Sequence, residues 1–252
     1  MSARLYWIPV SHPSQAARRM LELKGADFDL VGVMPMNQRL HLRLAGFRAG
    51  TVPALKLDGR RVQGSRQIAR ALDERWPEPP LLPSEPEVRA RVEEAERWGE
   101  QVLQPVPRRI GRFGAAHSLE LRRWGAEGLP FPEVLARTSA PLAGLYTRTV
   151  EVDGRRADED AVKADLAAVP SLLARVEELL EDGTVTLDPP NSATLQILSS
   201  VRLLDAYSDL HPYIGSTRAA QASREVFPRY PGPMPRFLPD EWLEPVAGAY
   251  RG

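Results

Sequence analysis

The chain has 252 residues, of which 43% are hydrophobic and 26% charged, a composition typical of a globular protein with one large or two modest domains. Its 33 basic and 33 acidic residues cancel, so there is no electrostatic reason to expect a nucleic acid or an acidic membrane as partner. The absence of cysteine excludes disulfides, thiolate metal sites and a cysteine nucleophile. No apolar run reaches the length of a membrane span and no signal-peptide pattern opens the chain, so we expect a cytoplasmic protein.

The first pattern is a strand, a tight turn and a helix. Residues 5–10 form a short, mostly apolar run that predicts a buried strand. Residues 11–14, Ser-His-Pro-Ser, are typical of a turn and a helix N-cap. A helix is predicted at 15–24, closed by Gly25. Ser11 lies where the turn meets the helix N-terminus, a position that favours an anion because free N–H groups and the helix dipole point there.

Four further elements complete the first 76 residues: a strand at 28–33, a short irregular helix at 37–47, a β-hairpin at 51–62 and a helix at 66–76. The strand at 28–33 is predicted to run parallel to the first through a right-handed crossover. Val52-Pro53 leads into the hairpin, whose turn is Asp58-Gly59.

The remainder of the chain is predicted to be helical after a proline-rich linker. Half of the residues at 77–86 are proline, so this stretch continues neither a helix nor a central strand and marks the best domain boundary. Helices are predicted at 87–104, 158–181, 192–207 and 216–226; the first is amphipathic, and the third is strongly apolar and expected to be central and buried. Pro170 either kinks the second of these or divides it, whereas residues 108–157 predict only short helices. Asn191 is a good N-cap for the apolar helix at 192–207.

The order of these elements resembles that of the cytosolic glutathione S-transferases, of the serine-using, bacterial-like type. The resemblance implies a thioredoxin-like α/β domain at 1–76, a linker at 77–86 and an all-α domain at 87–252. It also implies a cytoplasmic homodimer that serves in detoxification. Such an enzyme has no resident cofactor; its partners are a small thiol, glutathione or another low-molecular-weight thiol, and an apolar electrophile.

Ser11 is the candidate catalytic residue. The family uses Tyr, Ser or Cys to stabilise the thiolate of the bound thiol, and Ser11 resembles the serine of the Ser-type classes. Lowering a thiol pKa by two units requires roughly 2.7 kcal/mol. A hydrogen bond to a charged group contributes about 1.5–3 kcal/mol and a helix N-terminus about 0.3–1 kcal/mol, so the chemistry suffices. Ser14 and His12 are the weaker candidates, and the alternative is that Ser11 or Ser14 is only an N-cap.

Two short motifs are the candidates for thiol binding, together with Ser14. Val52-Pro53 resembles the cis-proline motif, in which the backbone of the preceding residue pairs with the cysteinyl part of glutathione; an ordinary trans turn is the alternative. Gly64-Ser65 resembles the pair that binds the γ-glutamyl end, with Ser65 holding the α-carboxylate; alternatively, Ser65 only caps its helix. Gly64 departs from the usual acidic residue or glutamine, so either Gln63 replaces it or the thiol is not glutathione.

The helical domain of the family supplies the pocket for the apolar co-substrate. The candidates near the first helix of that domain are Trp98, Arg108, Arg109 and Phe113. Their alternatives are a core position for Trp98 and solvated or paired guanidinium groups for the arginines. The histidines lack metal-ligand spacing, so no metal site is predicted.

Two functions of different classes follow. The first is an enzyme that activates a small thiol for conjugation, addition or isomerisation of an apolar electrophile. The second is a non-catalytic protein that uses the same fold to bind a ligand or another protein. Gly64 and the irregular stretch at 108–157 favour the second.

Overall fold

The computed structural model describes residues 3–34, 37–126, 132–149, 151–152, 154–230 and 232–250. Within these ranges the strands are β1 (Ala3–Trp7), β2 (Phe28–Gly32), β3 (Ala54–Leu57) and β4 (Arg60–Gln63). The helices of the first part are α1 (His12–Leu23), α2 (Gln38–Leu44) and α3 (Ser65–Arg75). Those of the second part are α4 (Pro86–Trp98), α5 (Pro105–His117), α6 (Leu119–Ala126), α7 (Pro132–Thr138), α8 (Ala140–Thr149), α9 (Glu159–Glu181), α10 (Ser192–Ala206), α11 (His211–Ile214), α12 (Arg218–Val226) and α13 (Glu244–Tyr250).

The four strands form one mixed sheet in the order β2-β1-β3-β4. β1 and β2 are parallel, whereas β1–β3 and β3–β4 are antiparallel. The predicted crossover through α1 and the predicted hairpin are therefore confirmed. A thioredoxin-like α/β sheet followed by a helical region is the predicted fold class, and the structure has it.

Helix α1 begins three residues earlier than predicted, at His12, with Ser11 in the N-cap position. Pro13 lies in the first turn, where its missing N–H costs no intrahelical hydrogen bond. Gly25 follows the helix with a φ of +59°, a conformation that glycine adopts without a steric penalty. Ala16 and Met20, four residues apart on one face of the helix, are fully buried.

The proline-rich stretch after α3 is docked against the body of the protein. The Asp73 carboxylate accepts hydrogen bonds from the backbone N–H groups of Leu81 and Leu82, both at 2.9 Å, and both leucine side chains are buried. The buried Lys24 Nζ lies 2.7 Å from Asp73 Oδ1 and donates to the carbonyl of Trp76 at 2.6 Å. On the other side, the Leu81 carbonyl accepts the N–H of Ser192, at the start of α10, at 2.7 Å. We propose residues 77–86 as the domain boundary, joined to both sides by these contacts.

The helical part differs from prediction at the end of its first helix. A π-helical turn at Gly99–Leu103 follows α4, and α5 begins directly at Pro105. Because proline at the first helical position only removes an N–H that has no partner there, Pro105 starts a helix instead of ending one. Helix α9 runs unbroken across Pro170. Short helices occupy most of the described part of 108–149, as predicted, although α5 is longer than expected; the described residues from 151 to 157 are not helical.

Helix α10 is the central element, and nearly all of its residues are buried. The Asn191 side chain caps it by accepting the N–H of Thr194 at 2.9 Å, which confirms the predicted N-cap. One hydrophobic cluster includes residues of β1, α1, α3, α9 and α10. The two halves of the chain therefore share a continuous core, and the end of the sheet is held against the helices.

Candidate functional site

Strand register brings the predicted thiol-binding motifs to one end of the sheet. Tyr6 on β1 pairs with Ala54 on β3, and Ala54 in turn pairs with Gln63 on β4. The loop after β1 therefore lies beside Val52-Pro53, which precedes β3. The N–H of Gly64 donates to the Pro53 carbonyl at 3.1 Å, so the N-terminus of α3 lies there as well.

Ser11 presents an unused hydroxyl at the N-terminus of α1. Its backbone has the extended φ and ψ of an N-cap, −79° and 110°, but its side chain makes no capping hydrogen bond. Its N–H donates to the carbonyl of Ile8 at 2.9 Å, which closes the turn after β1. The half-buried side chain is therefore positioned by the backbone while its hydroxyl stays available to a ligand.

The other two candidates on this turn are enclosed. Ser14 is fully buried, and His12 is only 3% exposed. Burial lowers the pKa of His12 well below its ordinary value, and the positive charge of Arg108 lowers it further. His12 is thus neutral at pH 7, and its Nε2 has no hydrogen-bond partner among the described residues. Of the three, Ser11 alone is partly exposed, so it is the one that solvent reaches.

The peptide bond between Val52 and Pro53 is cis, as the motif predicted. Pro53 is buried, whereas Val52 is half-buried and packs against the small cluster of Tyr6, Leu42 and Phe47. No described residue hydrogen-bonds the N–H or the C=O of Val52. This backbone pair can therefore bind an extended peptide-like ligand in the manner of a β-strand.

The Gly64–Ser65 motif is engaged differently from the prediction. The Ser65 hydroxyl donates to Gln196 Oε1 on α10, and the Gln196 amide donates to Gln104, so a buried polar chain joins α3 to the helical part. Gln63 exchanges two hydrogen bonds of 2.9 Å with the backbone of Ala49, which occupies its amide. Only the backbone N–H groups at the start of α3 are left for a carboxylate.

Three of the four predicted co-substrate residues contact other residues of the helical part. Arg109 is buried in a bidentate ion pair with Asp165 of α9, with Nε–Oδ2 and Nη2–Oδ1 distances of 2.7 and 2.5 Å. Burial raises the pKa of Asp165 in spite of this partner. Phe113, one turn after Arg109, is buried and stacks on His117 at 4.2 Å.

Trp98 is half-buried: it packs against the core and lines a groove between α4 and α9. Arg109 is paired, as the alternative for the arginines stated. Helical periodicity explains the outcome, because Arg109 and Phe113 share the face of α5 that packs inward. Arg108 is half-buried, and its positive charge contributes to the lowered pKa of His12, at the start of α1.

Two residues near the site carry no local signal in the sequence. Tyr230 donates its hydroxyl proton to the carbonyl of Val10 at 2.9 Å and so fixes the residue that precedes Ser11. Gln196, inside an apolar helix, is the partner of Ser65. Both contacts join positions more than 130 residues apart, and no spacing rule covers that separation.

The described residues contain no group of side chains arranged to hold a metal ion. No helix within the described ranges is long and apolar enough to cross a membrane.

A family model and several solved structures match the chain. Residues 5–80 match the model of the glutathione S-transferase N-terminal domain. No curated protein is significantly similar in sequence. Among solved structures, a glutathione S-transferase from Rhodospirillum rubrum F11 is 21% identical with a TM-score of 0.58, and the match covers 96% of this chain and 99% of that one.

Two further structures have the same fold over their full length. A glutathione S-transferase from Sinorhizobium meliloti 1021 is 19% identical with a TM-score of 0.62, over 97% of this chain and 99% of that one. The β-etherase LigF from Sphingobium sp. strain SYK-6 is 20% identical with a TM-score of 0.60, over 89% and 99%. Residues 5–80 thus match the glutathione S-transferase N-terminal domain, and the whole chain shares the fold of these glutathione S-transferase structures.

Proposed function

We propose that the protein is a glutathione transferase-like enzyme that activates a small thiol with Ser11. The observation that carries the proposal is the hydroxyl of Ser11, which lies at a helix N-terminus and is not used as a cap. At that position it donates a hydrogen bond to a thiolate, and the helix dipole adds to the stabilisation. The thiol proton passes to solvent before the sulfur attacks.

Val52 is proposed to orient the thiol through its unpaired N–H and C=O, with Pro53 fixing their direction. A carboxylate of the ligand would bind the free N–H groups at the start of α3, beside Gly64. Gln63 and the Ser65 hydroxyl have partners within the protein. At that end the protein therefore offers the thiol little recognition by side chains. Glutathione and simpler carboxylate-bearing thiols are both consistent with this arrangement.

The electrophile is proposed to approach from the α5 side, next to Arg108. The thiolate sulfur forms a bond to an electrophilic carbon, and either a leaving group departs or the carbon skeleton takes up a proton from solvent. Without a cysteine the protein offers no thiol to form a mixed disulfide, so conjugation, addition and isomerisation are the preferred reactions. We place the enzyme in the cytoplasm as a homodimer, in line with the family.

The test combines thiol titration with kinetics. Reduced glutathione is titrated calorimetrically into the protein at pH 7, and turnover is followed with an activated aryl halide. Ser11→Ala should lower the rate roughly tenfold or more, equal to about 1.4 kcal/mol, while leaving thiol affinity nearly unchanged. The pKa of the bound thiol, read from the ultraviolet absorbance of the thiolate, should rise in the same variant.

Ser14→Ala is the matched control, since the same chemical change is made in a side chain that solvent does not reach. An unchanged rate in Ser11→Ala would remove this residue from the mechanism. Binding of another thiol but not glutathione would change the co-substrate and leave the role of Ser11 intact. Failure of every thiol to bind would favour the non-catalytic protein.

A further inference from the structure

A second groove lies beside α1, and neither Ser11 nor Val52 lines it. It has a volume of about 330 Å³, within the range of small-molecule sites. One wall is formed by α1 and the other by the segment that follows α12. The residues on which the inference depends are Arg18, Arg19, Glu22, Phe227, Arg229 and Tyr230.

The groove carries an excess of positive charge. Three arginines and one glutamate line it, which leaves two positive charges unbalanced. Arg18 and Arg19 share the single carboxylate of Glu22, with Nε–Oε1 and Nη1–Oε2 distances of 3.0 and 3.4 Å. Arg229, across the groove, is exposed and makes no ion pair or hydrogen bond with any described residue. A dianion would complete this charge arrangement.

Arg19 in particular has unused hydrogen-bonding capacity. Among the described residues its one acceptor is Glu22, at a distance beyond the usual range for an N–H···O bond. Its Nε is shielded from water and has no partner among the described residues. A guanidinium carries five N–H donors; one of those of Arg19 faces Glu22 and the Nε–H is shielded, so three remain for an anion in the groove.

The wall opposite α1 is fixed in place without a ligand. The buried Tyr230 donates a hydrogen bond from its hydroxyl to the Val10 carbonyl. The Arg202 guanidinium lies over the Tyr230 ring in a cation–π contact, 5.4 Å from the ring centroid. The Gln15 side chain on α1 donates to the carbonyl of Pro9 at 2.5 Å. Pro9 and Val10 belong to the loop after β1, so both walls of the groove are hydrogen-bonded to that loop. The groove is therefore preformed, so little ordering cost opposes binding.

We propose that this groove binds the phosphomonoester group of a small phosphorylated molecule. Such a group carries about −1.5 to −2 charges at pH 7, which matches the two unbalanced charges. The planar forks of arginine suit phosphate oxygens. Phe227 and Pro228 provide apolar surface for the organic part of the ligand. The site is separate from the one that Ser11 and Val52 form.

The experiment is calorimetric titration of the full chain with phenyl phosphate and with inorganic phosphate, at low ionic strength and pH 7.5. Phenyl phosphate should bind the unmodified protein more tightly than inorganic phosphate, because it also contacts the apolar wall. Arg229→Gln should weaken binding by about tenfold, the effect of losing one charge-assisted hydrogen bond. Arg229→Glu should abolish it. Both variants should fold, since Arg229 has no partner among the described residues to lose.

Arg60→Gln is the matched control: it removes the same charge from strand β4, where Arg60 pairs with Glu74 outside the groove. Equal weakening in Arg60→Gln, or no binding to the unmodified protein, would overturn the proposal. Equal affinity for the two phosphates would overturn the assignment to an organic ligand. Thiol conjugation should be unchanged in Arg229→Gln, so the outcome is independent of the role proposed for Ser11.

Discussion

The two sides of the candidate active site differ in what positions their residues. On the thiol side, Ser11, Val52 and Gly64 belong to turns and element ends, and their backbones are aligned by strand register. On the helical side, Arg108 and Arg109 are neighbours in the chain but point to different surroundings, one near α1 and the other into the core. Where backbone groups form the site, local chain geometry positions them. Where side chains form the pocket, their position depends on which face of the helix packs against the rest of the protein.

The largest effect should come from the buried pair of the helical side. Arg109→Met leaves the Asp165 carboxylate buried without its partner, so the free energy of unfolding should fall by about 3–5 kcal/mol. Urea unfolding at pH 7 measures it. The double variant Arg109→Met/Asp165→Leu should regain much of the loss, because no uncompensated charge is left. A small loss in the single variant would mean that Arg109 is free to serve a co-substrate.

An intermediate effect is expected where the two sides meet. Ser65→Ala removes the donor to Gln196 and leaves a buried acceptor unsatisfied, which should cost about 1–3 kcal/mol of unfolding free energy. Thiol affinity should change little if the hydroxyl serves the interface. Calorimetric titration of the same variant checks this point. A large loss of affinity at constant stability would instead return Ser65 to the role predicted from the sequence.

The smallest effect concerns the pH dependence of stability through His12. Its pKa is lowered in the folded state, so the unfolded chain binds more protons once the pH falls below about 6.5. Stability should therefore decline on acidification, with His12 contributing roughly 1 kcal/mol between pH 6.5 and 5.5. His12→Gln should make that decline shallower in urea unfolding at each pH. An identical slope in both proteins would show that His12 is not held neutral.

The sequence by itself determined the order of elements, the thioredoxin-like sheet, the cap at Asn191 and the place of Ser11 at a helix start. These features follow from hydrophobic period, capping residues and turn residues, all of which act over a few positions along the chain. It did not determine which of Ser11, His12 and Ser14 is accessible, because that depends on what packs over α1.

Only the tertiary structure decided which residues distant in the sequence bind each other. The Ser65 hydroxyl donates a hydrogen bond to Gln196, and the Arg109 guanidinium pairs with Asp165. The Tyr230 hydroxyl donates to the carbonyl of Val10. Each of these contacts forms because burial leaves a polar group with no water and a distant side chain supplies the missing partner. The same packing lays residues 226–230 along α1 and so creates the arginine-lined groove, which no pattern in the linear sequence indicates.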